Sequence, residues 1–237
     1  MVEQSIESAR WLRAHPLVFV DDLDSPVLRD DDYHHLSRSL RLSDGSAISV
    51  GDGRGRWCPG RLAPMVEPTG PVVDAAHPRW PITVAFAPVK AQRPEWIVQK
   101  LTELGVDHMI PLRTERSVVR WDNDRAGRQQ ERWTKTIREA AMQSRQVRLP
   151  TFGPVSDVRT VLAEHPGAAL ADPEGGSVGH DDRTLLIGPE GGWGPDERSE
   201  VPLRSLPGGI LRAETASVVA ATILAAVRKS DPFTLGG

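Results

Sequence analysis

From residue 82 onward, short apolar runs alternate with amphipathic stretches. ITVAFA (82–87), DHMIPL (107–112), GAALAD (167–172) and TLLIG (184–188) are apolar, brief and bounded by turn formers, the mark of buried strands. Between them, RPEWIVQKLTELG (93–105) sets Ile97, Leu101 and Leu104 at i, i+4 and i+7, which makes one apolar helix face. Pro94 suits the first turn of that helix and Gly105 its stop. Residues 125–146 predict a longer helix, with Trp133, Ile137, Ala140 and Ala141 inward and the arginines outward. A short helix starts at Pro195, SLPGGIL (205–211) predicts a further strand, and AETASVVAATILAAVRK (213–229) a closing helix. Strands alternating with helices predict an α/β fold: a mostly parallel sheet covered on both faces.

Residues 16–76 follow another pattern. LVFV (17–20), AISV (47–50), RWCPGRL (56–62) and PVVDA (71–75) are short strand signals separated by the turn formers SDGS and GDGRG, with one helical turn near DDYHHLSRSLRL. HPRWP (77–81), bracketed by prolines, reads as a linker. The expected organisation is an N-terminal extension over 1–15, a small β module over 16–76 and an α/β domain over 77–237. No internal repeat or low-complexity segment interrupts it.

Composition narrows the class. The chain has 237 residues, 39% hydrophobic and 26% charged, which is ordinary for a globular protein with a real core. No apolar run approaches the roughly 18–20 residues of a membrane span. MVEQSIESARWLRAHP lacks the apolar core of a signal peptide, so the expected compartment is the cytoplasm and no membrane partner is expected. The single Cys58 excludes an internal disulfide, and without clustered histidines it argues against a metal site. The net charge of −3 announces no nucleic-acid partner, but the distribution is uneven. Residues 113–148 hold ten Lys/Arg against five Asp/Glu, in a chain whose first 40 residues hold eight acidic and four basic side chains. That basic stretch is either a solvated helix face or a phosphate-contacting one. If the latter, its candidates for RNA contact are Arg132, Lys135, Arg138, Arg145 and Arg148, the last two equally suited to complement a helix C-terminus.

Ligands in open α/β sheets sit beyond the carboxyl ends of the strands. Three loops fall there: after GAALA, after TLLI, and after SLPGGIL. The middle one, within LLIGPEGGWGPDE (185–197), holds four glycines, two prolines and Glu190. It is either a connector or a surface that lets a ligand approach the main chain. It is no phosphate cradle: neither G-x-G-x-x-G nor G-x-x-x-x-G-K-[ST] is present, no Lys or Arg lies in it, and Glu190 would repel phosphate. In LRAETA (211–216), Arg212 would project from the end of the predicted strand. Glu214 would interact with the helix dipole or act on a ligand.

LLIGPEGG followed by SLPGGILRAETA resembles the paired signature of the knotted SPOUT-class methyltransferases, and more narrowly of the family that methylates N3 of a uridine in 16S rRNA. EWIVQKLTELGVDHMIPLRTERSV (95–118) is similar to that family's E-x-x-x-x-K-x-x-E-L-G-V pattern. REAAMQSRQVRLP is similar to its E-A-x-x-Q-S-x-R stretch, and HHLSRSLRLSDGSAISVGDGRG (34–55) to its PUA-like N-terminal barrel. The resemblance runs from about residue 15 to the end. One segment departs from it: where the family has L-G-x-R-[IV]-L-R, this chain has Pro207 for the glycine and Gly209 for the first arginine, while Arg212 is kept.

The resemblance implies a C-terminal trefoil-knotted domain behind a PUA-like β-barrel, a homodimer, S-adenosyl-L-methionine as methyl donor, and 16S rRNA of the small ribosomal subunit as substrate. It implies a cofactor site of Leu170, Ala171, Ile187, Gly188, Pro189, Glu190, Gly191, Gly192, Leu206, Ile210, Leu211, Arg212, Thr215 and Ala216, with Arg212 and Glu214 catalytic. A sulfonium cation without phosphate agrees with a loop hostile to phosphate. Other readings are a methyltransferase for another rRNA or tRNA nucleotide, a non-catalytic RNA-binding protein, and a doubly wound enzyme using NAD or ATP, against which the missing fingerprints argue.

Overall fold

The computed structural model describes residues 2–88, 93–117 and 123–230. The chain divides into two compact units: Met1–His77 with Arg138–Leu149, and Pro78–Ile137 with Pro150–Gly237.

In the first unit, helix α1 (Val2–Ala14) precedes strand β1 (Leu17–Phe19); then come α2 (Asp30–His34), a π-helical turn over His35–Ser39, β2 (Ala47–Gly51), β3 (Arg56–Arg61), β4 (Glu67–Pro68) and β5 (Val73–Asp74). Thus most of the segment expected as an extension is helical. Its Trp11 and Leu12 pack on Leu17, Phe19 and Trp57, and the Trp11 indole donates to the Ile48 carbonyl at 3.3 Å. β1 pairs with β2 in parallel, and the pairs β2–β3, β3–β4 and β3–β5 are antiparallel. Alternation along these strands sends Val18, Ile48, Val50 and Cys58 into one core with Leu23, Leu28, Leu36, Leu62 and Val66. Ala141 and Val147, distant in sequence, join the second cluster around Phe19 and Trp57.

The second unit is the α/β part. Its elements are β6 (Thr83–Phe86), α3 (Arg93–Glu103), β7 (His108–Arg113), α4 (Asn123–Ser144), β8 (Thr151–Phe152), β9 (Ser156–Asp157), α5 (Val158–Glu164), β10 (Ala169–Ser177), β11 (Thr184–Ile187), α6 (Pro195–Arg198), β12 (Leu203–Ser205) and α7 (Ala213–Ser230). From Arg138 onward α4 belongs to the first unit. The strand order is β12-β10-β11-β6-β7-β8, with β9 also on β7, and every one of these pairs is parallel. β6 and β11 are buried along their whole length, as a strand covered on both faces must be. α3 and α7 pack on each other, and α7 also lies on β6 and β11. Trp133 of α4 is 1% exposed and stacks on Phe152, ring centroids 4.4 Å apart, with Phe86 edge-on to both rings. Asp107 ties the far end of α7 to the start of β7: its carboxylate accepts from Arg228 at 2.5 Å and from the Ile82 N–H at 2.8 Å.

Two expectations are corrected. SLPGGIL is not a strand. β12 covers only Leu203–Ser205, and Leu206–Leu211 form an irregular loop. Pro207 lacks the N–H a ladder needs, and Gly208 sits at φ 107°, outside the extended region. Arg212 therefore precedes α7 rather than ending a strand. The region 151–164, which carried no assignment, holds β8, β9 and α5. Its signal was Asp157, whose carboxylate accepts the Thr160 N–H at 2.8 Å as an N-cap.

Candidate functional site

Because the sheet is parallel, the carboxyl ends of β10, β11, β12 and β6 lie along one edge. The chain builds outward from β6 through β7 to β8, then resumes on the other side of β6. The order thus reverses between β6 and β11, the place where an open α/β sheet leaves a crevice for a ligand.

The glycine loop leaves β11 at this edge. Leu170 of β10 and Ile187 at the end of β11 are core residues, buried main chain and side chain alike. The Leu170 N–H donates to the Pro202 carbonyl and the Ile187 carbonyl accepts from the Ala87 N–H, both at 2.9 Å. Gly188 and Pro189 are half-buried, Glu190 and Gly191 are exposed, and a turn closes from the Gly192 N–H to the Pro189 carbonyl at 2.9 Å. Trp193 folds inward, 7% exposed, and its indole donates to the Ala171 carbonyl at 3.0 Å. At Gly194 a Cβ atom would run into the carboxylate end of the exposed Glu115 side chain, which would have to move aside.

The third loop contributes Leu206 and Leu211, both half-buried, and Ile210, which is 94% exposed. Arg212 is exposed and its carbonyl accepts the Ala216 N–H at 2.8 Å, opening α7. Glu214 is half-buried in the first turn of α7, Thr215 is exposed and Ala216 buried. The predicted cofactor set thus lies within β10, at and beyond the end of β11, and beyond the end of β12.

The basic candidates divide. Arg132 and Lys135 are exposed on α4. Arg138 is turned inward: its guanidinium donates to the Phe19 carbonyl at 2.6 Å and to Asp32 at 2.5 Å, and lies over the Phe19 ring. The Asp32 carboxylate explains the inversion, because both side chains are nearly buried, 14% and 11% exposed. Arg145 caps the end of α4, donating to the carbonyls of Met142 at 2.6 Å and Gln143 at 3.3 Å, and burial lowers its pKa. Arg148 donates to the carbonyls of Arg54 and Ala75. The sequence could not separate these roles, since all five arginines and lysines sit on one stretch.

Four residues escaped the sequence reading. Arg116 brings to the loop the cation that its own sequence lacks, donating to the Gly191 carbonyl at 2.9 Å. Glu115 donates its N–H to Glu197 at 2.9 Å. Trp193 joins the loop after β11 to Ala171 of β10, one residue past the last β10–β11 pair. Arg198 is committed to Asp172 at 3.0 Å and to Glu174, whose hydrogen bond raises its pKa further. Only Trp193 carried a signal, as a lone aromatic among glycines. Among the described residues no group of His, Cys, Asp and Glu is placed to hold a metal ion, and no helix is long and apolar enough to cross a membrane.

Comparison with known proteins places this arrangement in a class. Residues 76–225 match the RNA methyltransferase domain family and residues 28–65 the RNA methyltransferase PUA domain. The fold is that of the probable rRNA-methyltransferase of Porphyromonas gingivalis, 29% identical at a TM-score of 0.76 over 90% of this chain and 98% of that one. At 23% identity, a ribosomal RNA small subunit methyltransferase E from Neisseria gonorrhoeae, solved bound to S-adenosyl methionine, shares the fold at a TM-score of 0.78 over 90% and 98%. Among sequence relatives, the ribosomal RNA small subunit methyltransferase E of Synechocystis is 30% identical, covering 96% of this chain and 82% of its own. That of Mycobacterium bovis is 29% identical over 86% and 88%. The fold and site thus define an RNA methyltransferase domain joined to a PUA domain. Within that class, the chain belongs to the ribosomal RNA small subunit methyltransferase E family.

Proposed function

We propose that this protein methylates N3 of a uridine in 16S rRNA of the small ribosomal subunit, with S-adenosyl-L-methionine as donor. The observation that carries this is that a glycine loop and an exposed Arg212 at the head of α7 follow two strands, β11 and β12, of one parallel sheet, in a chain of this family. The relatives' names supply the substrate class, and the Neisseria gonorrhoeae structure the donor.

The residues present suit the donor. Within the segments Leu170–Ala171, Ile187–Gly192, Leu206, Ile210–Arg212 and Thr215–Ala216, the accessible residues offer main-chain groups for an adenosine moiety, and the buried Leu170, Ile187 and Ala216 support them from below. Glu190 is an exposed carboxylate, suited to a cation, while Arg116 is engaged with Gly191 rather than free to attract phosphate. S-adenosylmethionine supplies, when bound, a methyl group on a positively charged sulfur. N3 of a neutral uracil carries a proton, which must leave as the N–CH3 bond forms. Glu214 is the proposed proton acceptor, and Arg212 stabilises the charge that develops on the uracil carbonyl oxygens.

The same reading includes a trefoil knot. The topology in its support is the return of the chain from the edge strand β12 to α7, which lies over the central strands β6 and β11. It also includes a PUA-like barrel in the first unit, a homodimer, work in the cytoplasm and no metal. For RNA positioning, the exposed Arg132 and Lys135 are the phosphate contacts proposed on α4, while Arg138, Arg145 and Arg148 serve it indirectly by shaping the first unit.

Arg212→Ala should lower methyl transfer to small subunits at least about 100-fold, the scale of one lost oxyanion donor, while S-adenosylmethionine binding by calorimetry stays within about threefold. Full turnover by this variant would refute the role. Mapping methylated nucleotides in a deletion strain tests the target. A missing mark on another rRNA or tRNA nucleotide would replace it.

A further inference from the structure

We infer that the turn Thr114–Ser117 is a clasp that holds the glycine loop in its ligand-binding shape, with Arg116 and Glu197 as positioning residues. The inference rests on the proposed reading of Gly188–Gly192 as the cofactor loop.

The turn is closed on itself. The hydroxyls of Thr114 and Ser117 are 2.8 Å apart, the Ser117 N–H donates to the Thr114 carbonyl at 3.2 Å, and the Thr114 N–H donates to Ser117 Oγ at 3.3 Å. Thr114 is buried, which anchors the turn directly beyond β7. Its two central residues both reach the glycine loop. Arg116 Nη1 donates to the Gly191 carbonyl at 2.9 Å. The Glu115 N–H donates to Glu197 Oε1 at 2.9 Å, while Glu197 Oε2 accepts the Gly194 N–H at 2.8 Å. One carboxylate thus bridges main-chain donors 79 residues apart, and the loop is held both at Gly191 and at Gly194. The Glu115 side chain also lies close against Gly194.

These contacts have little folding work to do. Glu115, Arg116 and Gly191 are all exposed. A loop with this many glycines has many alternative conformations, and fixing it on binding costs free energy that a preformed loop avoids. Holding Gly191 and Gly194 in advance therefore shows up in ligand affinity more than in stability. In this inference Arg116 and Glu197 act through the loop, by their bonds to Gly191 and Gly194.

The test measures S-adenosylmethionine binding by calorimetry and steady-state methylation of small subunits for wild type, Arg116→Ala, Arg116→Lys and Glu197→Ala. The expected result is a Kd and KM about tenfold higher for Arg116→Ala and Glu197→Ala, kcat within about twofold, and near-wild-type values for Arg116→Lys, whose ammonium still donates to the Gly191 carbonyl. Hydrogen exchange should show lost protection at the Gly194 amide in Glu197→Ala, with an unchanged thermal midpoint for Arg116→Ala. Wild type that binds the donor, with both alanine variants binding equally well, overturns the clasp alone. Wild type that binds no donor overturns the cofactor reading and the clasp with it. A fall in kcat at constant KM also overturns it, because that pattern belongs to a residue acting on the reaction.

Discussion

The indole N–H of Trp193 donates to the carbonyl of Ala171 at 3.0 Å, joining the loop after β11 to β10 just past their last paired residues across 22 residues of sequence. The same ring packs against Gly188, where a Cβ atom would come within 3.0 Å of it. One side chain therefore sets the spacing between two of the three segments proposed to hold the donor. Trp193→Phe keeps an aromatic ring but removes the N–H donor and part of the buried ring volume, leaving a carbonyl without its partner. The expected outcome is a loss of about 1 kcal/mol in stability and a several-fold weaker S-adenosylmethionine Kd, measured by urea unfolding and calorimetry. Unchanged affinity would show that this spacing does not matter to the ligand.

Arg138 is buried in the first unit against Asp32, so its removal strands a carboxylate. Arg138→Ala should destabilise the protein by about 3 kcal/mol in urea unfolding, the usual consequence of breaking a buried pair from one side. A variant with wild-type stability but impaired RNA binding would instead place Arg138 on the RNA surface.

Arg132 and Lys135 are exposed on α4 and predict the opposite behaviour. The double variant Arg132→Ala, Lys135→Ala should leave the melting temperature alone and weaken small-subunit binding. The slope of log K against log salt should fall by about one for each lost phosphate contact. An unaltered slope would exclude these two side chains from the RNA contact.

Asp157 caps α5 and its carboxyl pKa is lowered, first by the bond from the Thr160 N–H. A depressed folded-state pKa means the stabilisation is complete above the ordinary aspartate value near 3.9 and is lost as pH falls through the lower folded value. Asp157→Ala should cost about 1 kcal/mol at pH 7. The difference between variant and wild type should shrink when unfolding is followed into strong acid. A gap that persists there would indicate that the aspartate stabilises by something other than its charge.

Legibility in the sequence tracked how local the cause was. The helix over 93–105 and the strands at 82–87 and 184–188 were readable because their apolar spacing lies inside one element. Within the site, the glycine loop and Arg212 stood out by residue type. The strand expected over SLPGGIL failed because apolar content suggested it while Pro207 and Gly208 forbade it. The short strands β8 and β9 left too few residues for any period to register.

The sequence by itself determined the α/β alternation, the phosphate-hostile glycine loop, and the ordered motifs that mark the family. These are properties of neighbouring residues, and periodicity and side-chain chemistry are enough to express them. The tertiary structure alone decided that Arg116 supplies the loop with a cation from 75 residues away, that Glu115 and Glu197 meet, and that Arg138 points at Phe19 and Asp32 instead of solvent. Each of these is a hydrogen bond between groups remote in the chain. Its existence depends on which strands pair and which faces pack, a choice set by burying the whole core and written in no local pattern.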